Sequence, residues 1–404
     1  MDNRARGVDE RQSVARVFLA FLQLGLTSFG GPIAHLGYFR EAFVVRRRWI
    51  DERAYADLVA LCQFLPGPAS SQVGIGIGLA KAGLPGAIAA WFAFTMPSAI
   101  ALTLFGYGVI AYRDVIPMGL LHGLKVVAVA VVAQAVWGMA RTLTPDAQRV
   151  TLATVATATV LSFPGSLAQI GVILAGALVG LVFLKTEIDP RNASLGIGLS
   201  RCSASLFLAA FFALLIGLPL LAASSGSQTL AMIDSFYRAG SLVFGGGHVV
   251  LPMLQAEVVP PGWVSQDAFL AGYGAAQAVP GPLFTFAAYL GTVMALPPNG
   301  WEGAIVCLAA IFASSFLLVV GALPFWDALR HRPSVQKALL GVKAAVVGLL
   351  LAALYDPIWT SSIRSPGDFI LALAAFVLLV FWKAAPWLVV ALTAAAGWAL
   401  AVFV

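Results

Sequence analysis

Charged side chains are scarce in this chain. Of its 404 residues only 10% are Asp, Glu, Lys or Arg, whereas 60% are hydrophobic, and the mean hydropathy is +0.92. A soluble domain needs more charge than this on its surface. The chain also contains apolar stretches of about 20 residues, which is the length that a helix needs to cross a bilayer. The composition therefore predicts an all-α polytopic membrane protein.

Metal-ligating and nucleophilic side chains are also few. The three cysteines Cys62, Cys202 and Cys307 stand apart from one another without a C-x-x-C pair, and the chain has only four histidines. Neither an H-E-x-x-H nor a G-x-S-x-G motif is present. We therefore expect no bound metal, no cofactor and no enzymatic activity. The net charge of +6 comes from basic residues beside hydrophobic segments, which indicates membrane orientation rather than nucleic-acid binding.

Several short motifs occur twice in the same order. F-G-G lies at 29–31 and 244–246, a tryptophan at 49 and 263, and Q-x-x-P-G-P at 63–68 and 277–282. Internal repeats of this length are typical of transporters. We predict a first repeat over 1–186, a connecting segment over 187–225 with one unpaired span near 205–222, and a second repeat over 226–404. An unpaired span inverts the second repeat relative to the first.

The uninterrupted apolar segments fall at equivalent places in the two repeats. In the first repeat they are 84–112, 116–140, 149–163 and 166–184. In the second repeat they are 301–325, 336–355, 369–382 and 385–403.

Two further apolar segments begin each repeat and are broken by the motifs. Residues 17–45 are interrupted at F-G-G-P and residues 55–80 at P-G-P. Each segment either crosses the membrane as a broken helix or enters and returns as a re-entrant hairpin. Arginines flank 17–45 on both sides, which favours a hairpin with both ends and the N-terminus in the cytoplasm. The matching loop 257–267 contains no Lys or Arg, so it is expected outside, as inversion requires.

The breaks themselves favour an anion site. Interrupted membrane helices present free N–H groups and the positive end of the helix dipole. The glycines expected to contact the anion are Gly30, Gly31, Gly67, Gly245, Gly246 and Gly281. The alternative is that Gly and Pro only permit kinks and close helix packing.

Two lysines occupy equivalent positions inside predicted spans. Lys125 and Lys343 each lie about eight residues, or roughly 12 Å, into a helix. A lysine at that depth needs a counter-ion, a wet cavity or a route to the interface along which its side chain can snorkel. No carboxylate lies within two turns of either lysine in sequence, so the partner is the substrate or a distant carboxylate such as Asp57 or Glu302. Two cations and several helix N-termini suit a small oxyanion, a divalent one included.

Four more polar residues lie beside the breaks. Gln63 and Gln277 precede the two P-G-P motifs and can either hydrogen-bond an oxyanion or satisfy the broken backbone. His35 and His248 follow the two F-G-G motifs and can either gate or carry protons, or simply pack in the core.

Taken together, these motifs resemble the chromate ion transporter family in its long-chain, two-domain form. The resemblance covers nearly the whole chain and rests on F-G-G-P at 29–32, Q-x-L-P-G-P at 63–68, F-G-G-G-H-V-V-L-P at 244–252 and Q-x-x-P-G-P at 277–282. It implies a secondary transporter in the bacterial inner membrane that exports chromate, with sulfate as an analogue, using the proton-motive force or the membrane potential. The residues leave an anion channel, or a transporter for another small anion, as alternatives. Membrane lipid is an expected partner, and a homodimer is an assembly that the sequence permits.

Overall fold

The computed structural model describes residues 11–112, 117–185, 200–244, 247–326 and 332–403. Over these ranges the regular structure is entirely helical. Five of the described helices are long and apolar enough to cross a membrane, and shorter apolar helices accompany them. The prediction of an all-α polytopic membrane protein is confirmed.

The first half of the chain contains seven helices among its described residues. They are α1 (Val14–Thr27), α2 (Gly31–Phe39), α3 (Glu52–Phe64), α4 (Ala69–Ala111), α5 (Met118–Leu143), α6 (Ala147–Ser162) and α7 (Ser166–Phe183). A π-helical segment, Arg40–Arg46, extends α2. The chain then passes through α8 (Arg201–Ser225), which contains the predicted unpaired span.

The second half repeats the same order of elements. It contains α9 (Gln228–Ser241), α10 (Val250–Val258), α11 (Gln266–Ala276), α12 (Phe286–Val293), α13 (Gly300–Ala322), α14 (Pro333–Ala353), α15 (Pro366–Val380) and α16 (Pro386–Phe403). By order and motif, α9 corresponds to α1, α11 to α3, and α14, α15 and α16 to α5, α6 and α7. The helix α4 corresponds to α12 and α13 together.

The motif breaks end helices where the sequence predicts. The helix α1 stops at Thr27 and α2 starts at Gly31, while α3 stops at Phe64 and α4 starts at Ala69. Further along, α4 loses helical geometry at 82–83. On either side of this turn, a Cβ at Gly78 would collide with the backbone of Gly86, so the two arms pack against each other. The chain reverses there, as it must whether the P-G-P segment crosses the membrane or re-enters.

The two halves interlock through their last three helices. The helix α5 packs against α15 and α16, and equivalently α14 packs against α6 and α7. Glycines allow these close approaches: Gly123 lies against Thr393 and Ala394, while Gly176 and Gly180 lie against Gly341. Each half therefore supplies the long helix around which the other half's last helices pack.

The helix directions support inversion of the repeats. Along α7, Gly176 contacts Ala345 and Gly180 contacts Lys337, so α7 and α14 run antiparallel. Short connections at 144–146 and 163–165 reverse the chain twice between α5 and α7, which makes α5 and α7 parallel. The equivalent helices α5 and α14 therefore point in opposite directions.

This interface predicts a position-dependent effect of enlarging glycines on α7. The variant Gly180→Val should lose about 1–3 kcal/mol of stability or fail to fold, because its Cβ meets the Lys337 backbone. The melting temperature and the monodisperse yield in detergent would measure the loss. On the same helix, Gly171→Val adds the same atoms where no other atom lies within 4 Å, so it serves as the control. Equal behaviour of the two variants would contradict this packing.

Candidate anion site between the repeats

The four helix breaks meet in two reciprocal pairs. The backbone N–H of Gly67, in the first P-G-P, donates to the carbonyl of Val243 at 2.7 Å. Equivalently, the N–H of Gly281, in the second P-G-P, donates to the carbonyl of Ser28 at 2.9 Å. Val243 and Ser28 each precede an F-G-G motif by one residue. Each P-G-P is therefore held against the F-G-G break of the other repeat.

Both of these glycines are required by geometry. Gly67 has φ +116° and Gly281 has φ +101°, a region that L side chains rarely adopt. A Cβ at Gly67 would lie 2.7 Å from Ser315 Oγ, and one at Gly281 would lie 2.8 Å from Ser98 Oγ. The two contacts are equivalent, because α13 and the later part of α4 correspond between the repeats.

A cavity of about 70 Å³ lies at one of these junctions. This volume exceeds what a single water molecule needs. We call it the central cavity, and it is defined by residues from both repeats: Gly30, Gly31, Gln134, His248, Gln277 and Gly281.

Polar side chains that line the central cavity have hydrogen-bond donors that are not used within the described part of the protein. Gln277 Nε2 is buried without a hydrogen-bond partner among the described residues. His248 Nδ1 lies 2.7 Å from the hydroxyl of the buried Tyr273. When that hydroxyl donates to Nδ1, the neutral ring carries its proton on Nε2, which then becomes a donor. The cavity wall thus offers neutral hydrogen-bond donors.

The remaining residues predicted near the breaks have different environments. Gly67 lies at the other junction and does not line the central cavity, and Gln63 is exposed on α3. His35 is 1% exposed and is held by Ser70 Oγ at 3.3 Å and the Ser28 carbonyl at 3.2 Å. Its packing matches the alternative of a core histidine. Two further predicted residues, Gly245 and Gly246, lie outside the described residues.

The two lysines do not line the central cavity and differ from each other. Lys125 is buried, and its Nζ lies 2.9 Å from Asp267 Oδ1 on α11. The counter-ion is thus a distant carboxylate, but neither of the two named from the sequence, since Asp57 instead accepts a hydrogen bond from Trp326. Lys343 is half-buried and forms no ion pair within the part of the chain that the structure describes. Contact of either lysine with substrate stays a prediction.

A buried ionic network, which the sequence reasoning missed, fixes the hairpin around the second F-G-G. Arg238 on α9 donates to Asp234 at 2.7 Å and to both carboxylate oxygens of Glu257 on α10, at 2.7 and 3.0 Å. Ser235 also donates to Glu257. The corresponding hairpin of the first repeat is instead held by apolar contacts among buried side chains: Phe21, Leu24, Phe39 and Phe43.

Gln134 is the cavity residue that sequence reasoning missed. It has no equivalent, because Ala352 occupies the matching place in α14. The available signal was its position as a lone amide within the apolar helix α5, where polar side chains usually serve a function.

Comparison with known proteins settles the family. A family model described as chromate transporter matches residues 15–181 and 230–398, which lie in the two halves described above. The chain belongs to the chromate transporter family. The resemblance inferred from the duplicated motifs is therefore confirmed.

Individual relatives of this chromate transporter family member are distant but cover most of the chain. A chromate transport protein of Pseudomonas aeruginosa is 27% identical over 98% of this chain and 95% of its own length. A probable chromate transport protein of Synechococcus elongatus is 27% identical over 90% and 94%. An uncharacterized transporter of Methanocaldococcus jannaschii is 27% identical over 84% and 83%. No solved structure matches this family member.

The junction between the repeats predicts the effect of adding one methyl group to this transporter family member. Gly281→Ala should lower the stability by about 1–3 kcal/mol, because it combines a positive φ with a clash against Ser98. Thermal unfolding in detergent measures the effect. Gly262→Ala is the control, since Gly262 has φ +75° but an open environment, and it therefore reports backbone strain alone. Equal losses in the two variants would show that the contact with Ser98 is not tight.

Proposed function

We propose that this protein exports chromate from the cytoplasm across the bacterial inner membrane, with sulfate as a second, analogous substrate. The observation that carries the proposal is the central cavity, which combines the F-G-G break of one repeat with the P-G-P break of the other. Its relatives named as chromate transport proteins support the substrate.

The donors of the central cavity suit a tetrahedral oxyanion. Chromate and sulfate carry only acceptor oxygens at neutral pH, and Gln134, Gln277 and His248 can all donate. The helix α2 begins at the cavity with Gly30 as its N-cap, so the free N–H groups of its first turn add the positive end of the helix dipole. Water-poor surroundings strengthen each of these interactions.

Neutral donors also suit release. An anion held by fixed cations would be difficult to discharge, whereas hydrogen-bond donors can be exchanged for water one at a time. The ion pair of the buried Lys125 with the exposed Asp267 leaves no net charge at that place in the fold. Binding by dipoles therefore fits a site that must load and unload.

The membrane potential provides a sufficient driving force for export. An inside-negative potential favours anion exit by about 2.3 kcal/mol per charge per 100 mV, or about 4.6 kcal/mol for a dianion. This corresponds to roughly a thousandfold concentration ratio. Export driven by the potential, alone or as part of the proton-motive force, needs no further energy source.

The proposed orientation places the N-terminus and the arginine-rich segment 46–48 in the cytoplasm. The antiparallel packing of α7 against α14 is the arrangement that this orientation requires. Transport then proceeds by movement of one repeat against the other around the central cavity.

Removing the unpartnered amide tests the site. Gln277→Ala should lower the initial rate of chromate uptake into energised everted vesicles about 10- to 100-fold, because a hydrogen bond to a charged group contributes about 1.5–3 kcal/mol. Gln148→Ala, an exposed glutamine at the start of α6, is the control and should transport normally. Uptake should saturate with chromate, and labelled sulfate should compete.

Three results would contradict the proposal. Normal uptake by Gln277→Ala would remove the central cavity from the transport path. Uptake that rises linearly with concentration would favour an anion channel. Uptake of neither anion by the unmodified protein would exclude both substrates.

A further inference from the structure

The equivalent helices α11 and α3 are packed differently. The helix α11 lies against α5, with Asp267 paired to Lys125 and with Gly274 against the backbone of Leu124. Ten residues after Asp267, Gln277 reaches the central cavity. Asp267, Gly274 and Gln277 lie on one face at helical spacing. Through this face α11 packs on α5.

The same face of α3 is uncovered. By repeat position this face carries Arg53, Ala60 and Gln63, and Glu52 and Ala56 lie beside them on α3; all five are exposed. Among the described residues α3 packs mainly on α4, and it makes no contact with α14 comparable to that of α11 with α5. The opposite face of α3 is buried, through residues such as Tyr55 and Leu58.

The uncovered face does not suit lipid. It carries a carboxylate at one end and an amide, Gln63, at the other, and the amide would be costly in hydrocarbon without a partner. Two alanines lie between them, which leaves a shallow surface that admits another helix closely. The face therefore suits contact with water or with another helix better than contact with lipid.

The partner for this face is the helix equivalent to α5, which is α14. It carries Lys343 at the place of Lys125, and this lysine is half-buried without an ion pair in the described structure. Ala60 holds the place of Gly274, the residue that approaches the backbone of α5. The unpaired Lys343 on α14 and the exposed face of α3 thus correspond to Lys125 on α5 and the packed face of α11. Those two helices are already in contact, whereas α3 and α14 make no comparable contact among the described residues.

We propose that α3 docks on α14 in a second conformation, in which Glu52 pairs with Lys343 while the Lys125–Asp267 pair separates. The two ion pairs form alternately and close opposite ends of the central cavity. Their role in transport rests on the proposed function, whereas the docking itself does not. With the N-terminus in the cytoplasm, the structure described here is closed at the outside, and the second conformation is closed at the inside.

Local chemistry selects Glu52 as the carboxylate. Arg53 occupies the place of Asp267 and has the wrong sign for Lys343. Asp51 is engaged as the N-cap of α3, accepting from the N–H groups of Arg53 and Ala54 at 2.9 Å. Among the described residues the Glu52 side chain is bound only to Arg40, at 2.7 Å, and both side chains of that pair are more than half exposed. Exposed pairs are weak, so Glu52 can exchange partners readily.

Cross-linking tests the docking without any substrate. In a background with Cys62, Cys202 and Cys307 changed to Ala, the pair Glu52→Cys and Lys343→Cys should be joined by a short bifunctional thiol reagent in membranes. The pair Lys125→Cys and Asp267→Cys should be joined as well, and each cross-link should abolish chromate uptake. Each single cysteine is the control for modification without cross-linking.

The results separate docking from function. If the 52–343 pair fails to cross-link in membranes where the 125–267 pair does, the docking is wrong, whatever the protein transports. If both pairs cross-link but the unmodified protein takes up no anion, the docking stands and the proposed substrate is wrong.

A charge exchange tests the ion pair itself. Glu52→Lys and Lys343→Glu should each lower chromate uptake at least 10-fold, and the double variant should recover most of it. Arg40→Gln removes the present partner of Glu52 and should transport normally. A double variant no better than its single variants would overturn the Glu52–Lys343 pair.

Discussion

Broken helices inside a membrane must find partners for their free backbone groups, and this requirement shapes the whole molecule. Hydrocarbon offers no hydrogen bonds, so a break survives only against protein or water. Here the N–H of Gly67 finds the carbonyl of Val243, and the N–H of Gly281 finds that of Ser28. Because each carbonyl belongs to the other repeat, these two N–H groups are satisfied only when the repeats pack together. The two halves are thus bound together at their most polar points.

The same requirement explains why the central cavity lies where it does. Groups that end a helix in the membrane interior create a place that is polar, narrow and surrounded by packed side chains. The central cavity takes Gly30, Gly31 and Gln134 from the first repeat, and His248, Gln277 and Gly281 from the second. Movement of the repeats against each other therefore changes the cavity itself. In such an arrangement, the same movement changes both the shape of the cavity and its access to either side of the membrane.

Duplication supplies two equivalent sets of contacts, but a single conformation need not use both. The helix α11 lies on α5 with its ion pair formed, whereas α3 leaves the equivalent face open and Lys343 unpaired within the described structure. The F-G-G hairpins of the two repeats are also held by different contacts. Aromatic side chains hold the hairpin of the first repeat, and the ion pairs of Arg238 hold that of the second. Symmetric sequence thus produces an asymmetric structure.

The sequence by itself determined the class, the helices and the family. Hydropathy and helix-breaking residues act locally, so the breaks at F-G-G and P-G-P and the span in α8 were predictable from residue type. The ordered motifs were specific enough for the family, which the match over 15–181 and 230–398 confirms. Gln277 was also found, because its place beside P-G-P was visible in both repeats.

Only the tertiary structure decided which of these residues meet. Lys125 and Asp267 are far apart in the chain, and no periodicity predicts an ion pair between them. The sequence pattern also could not show which of two equivalent residues lines the cavity. Gln63 is exposed, whereas Gln277 reaches the central cavity. The physical reason is that a repeat specifies equal local structure, whereas the packing of one repeat on the other is a property of the whole chain and differs at its two ends.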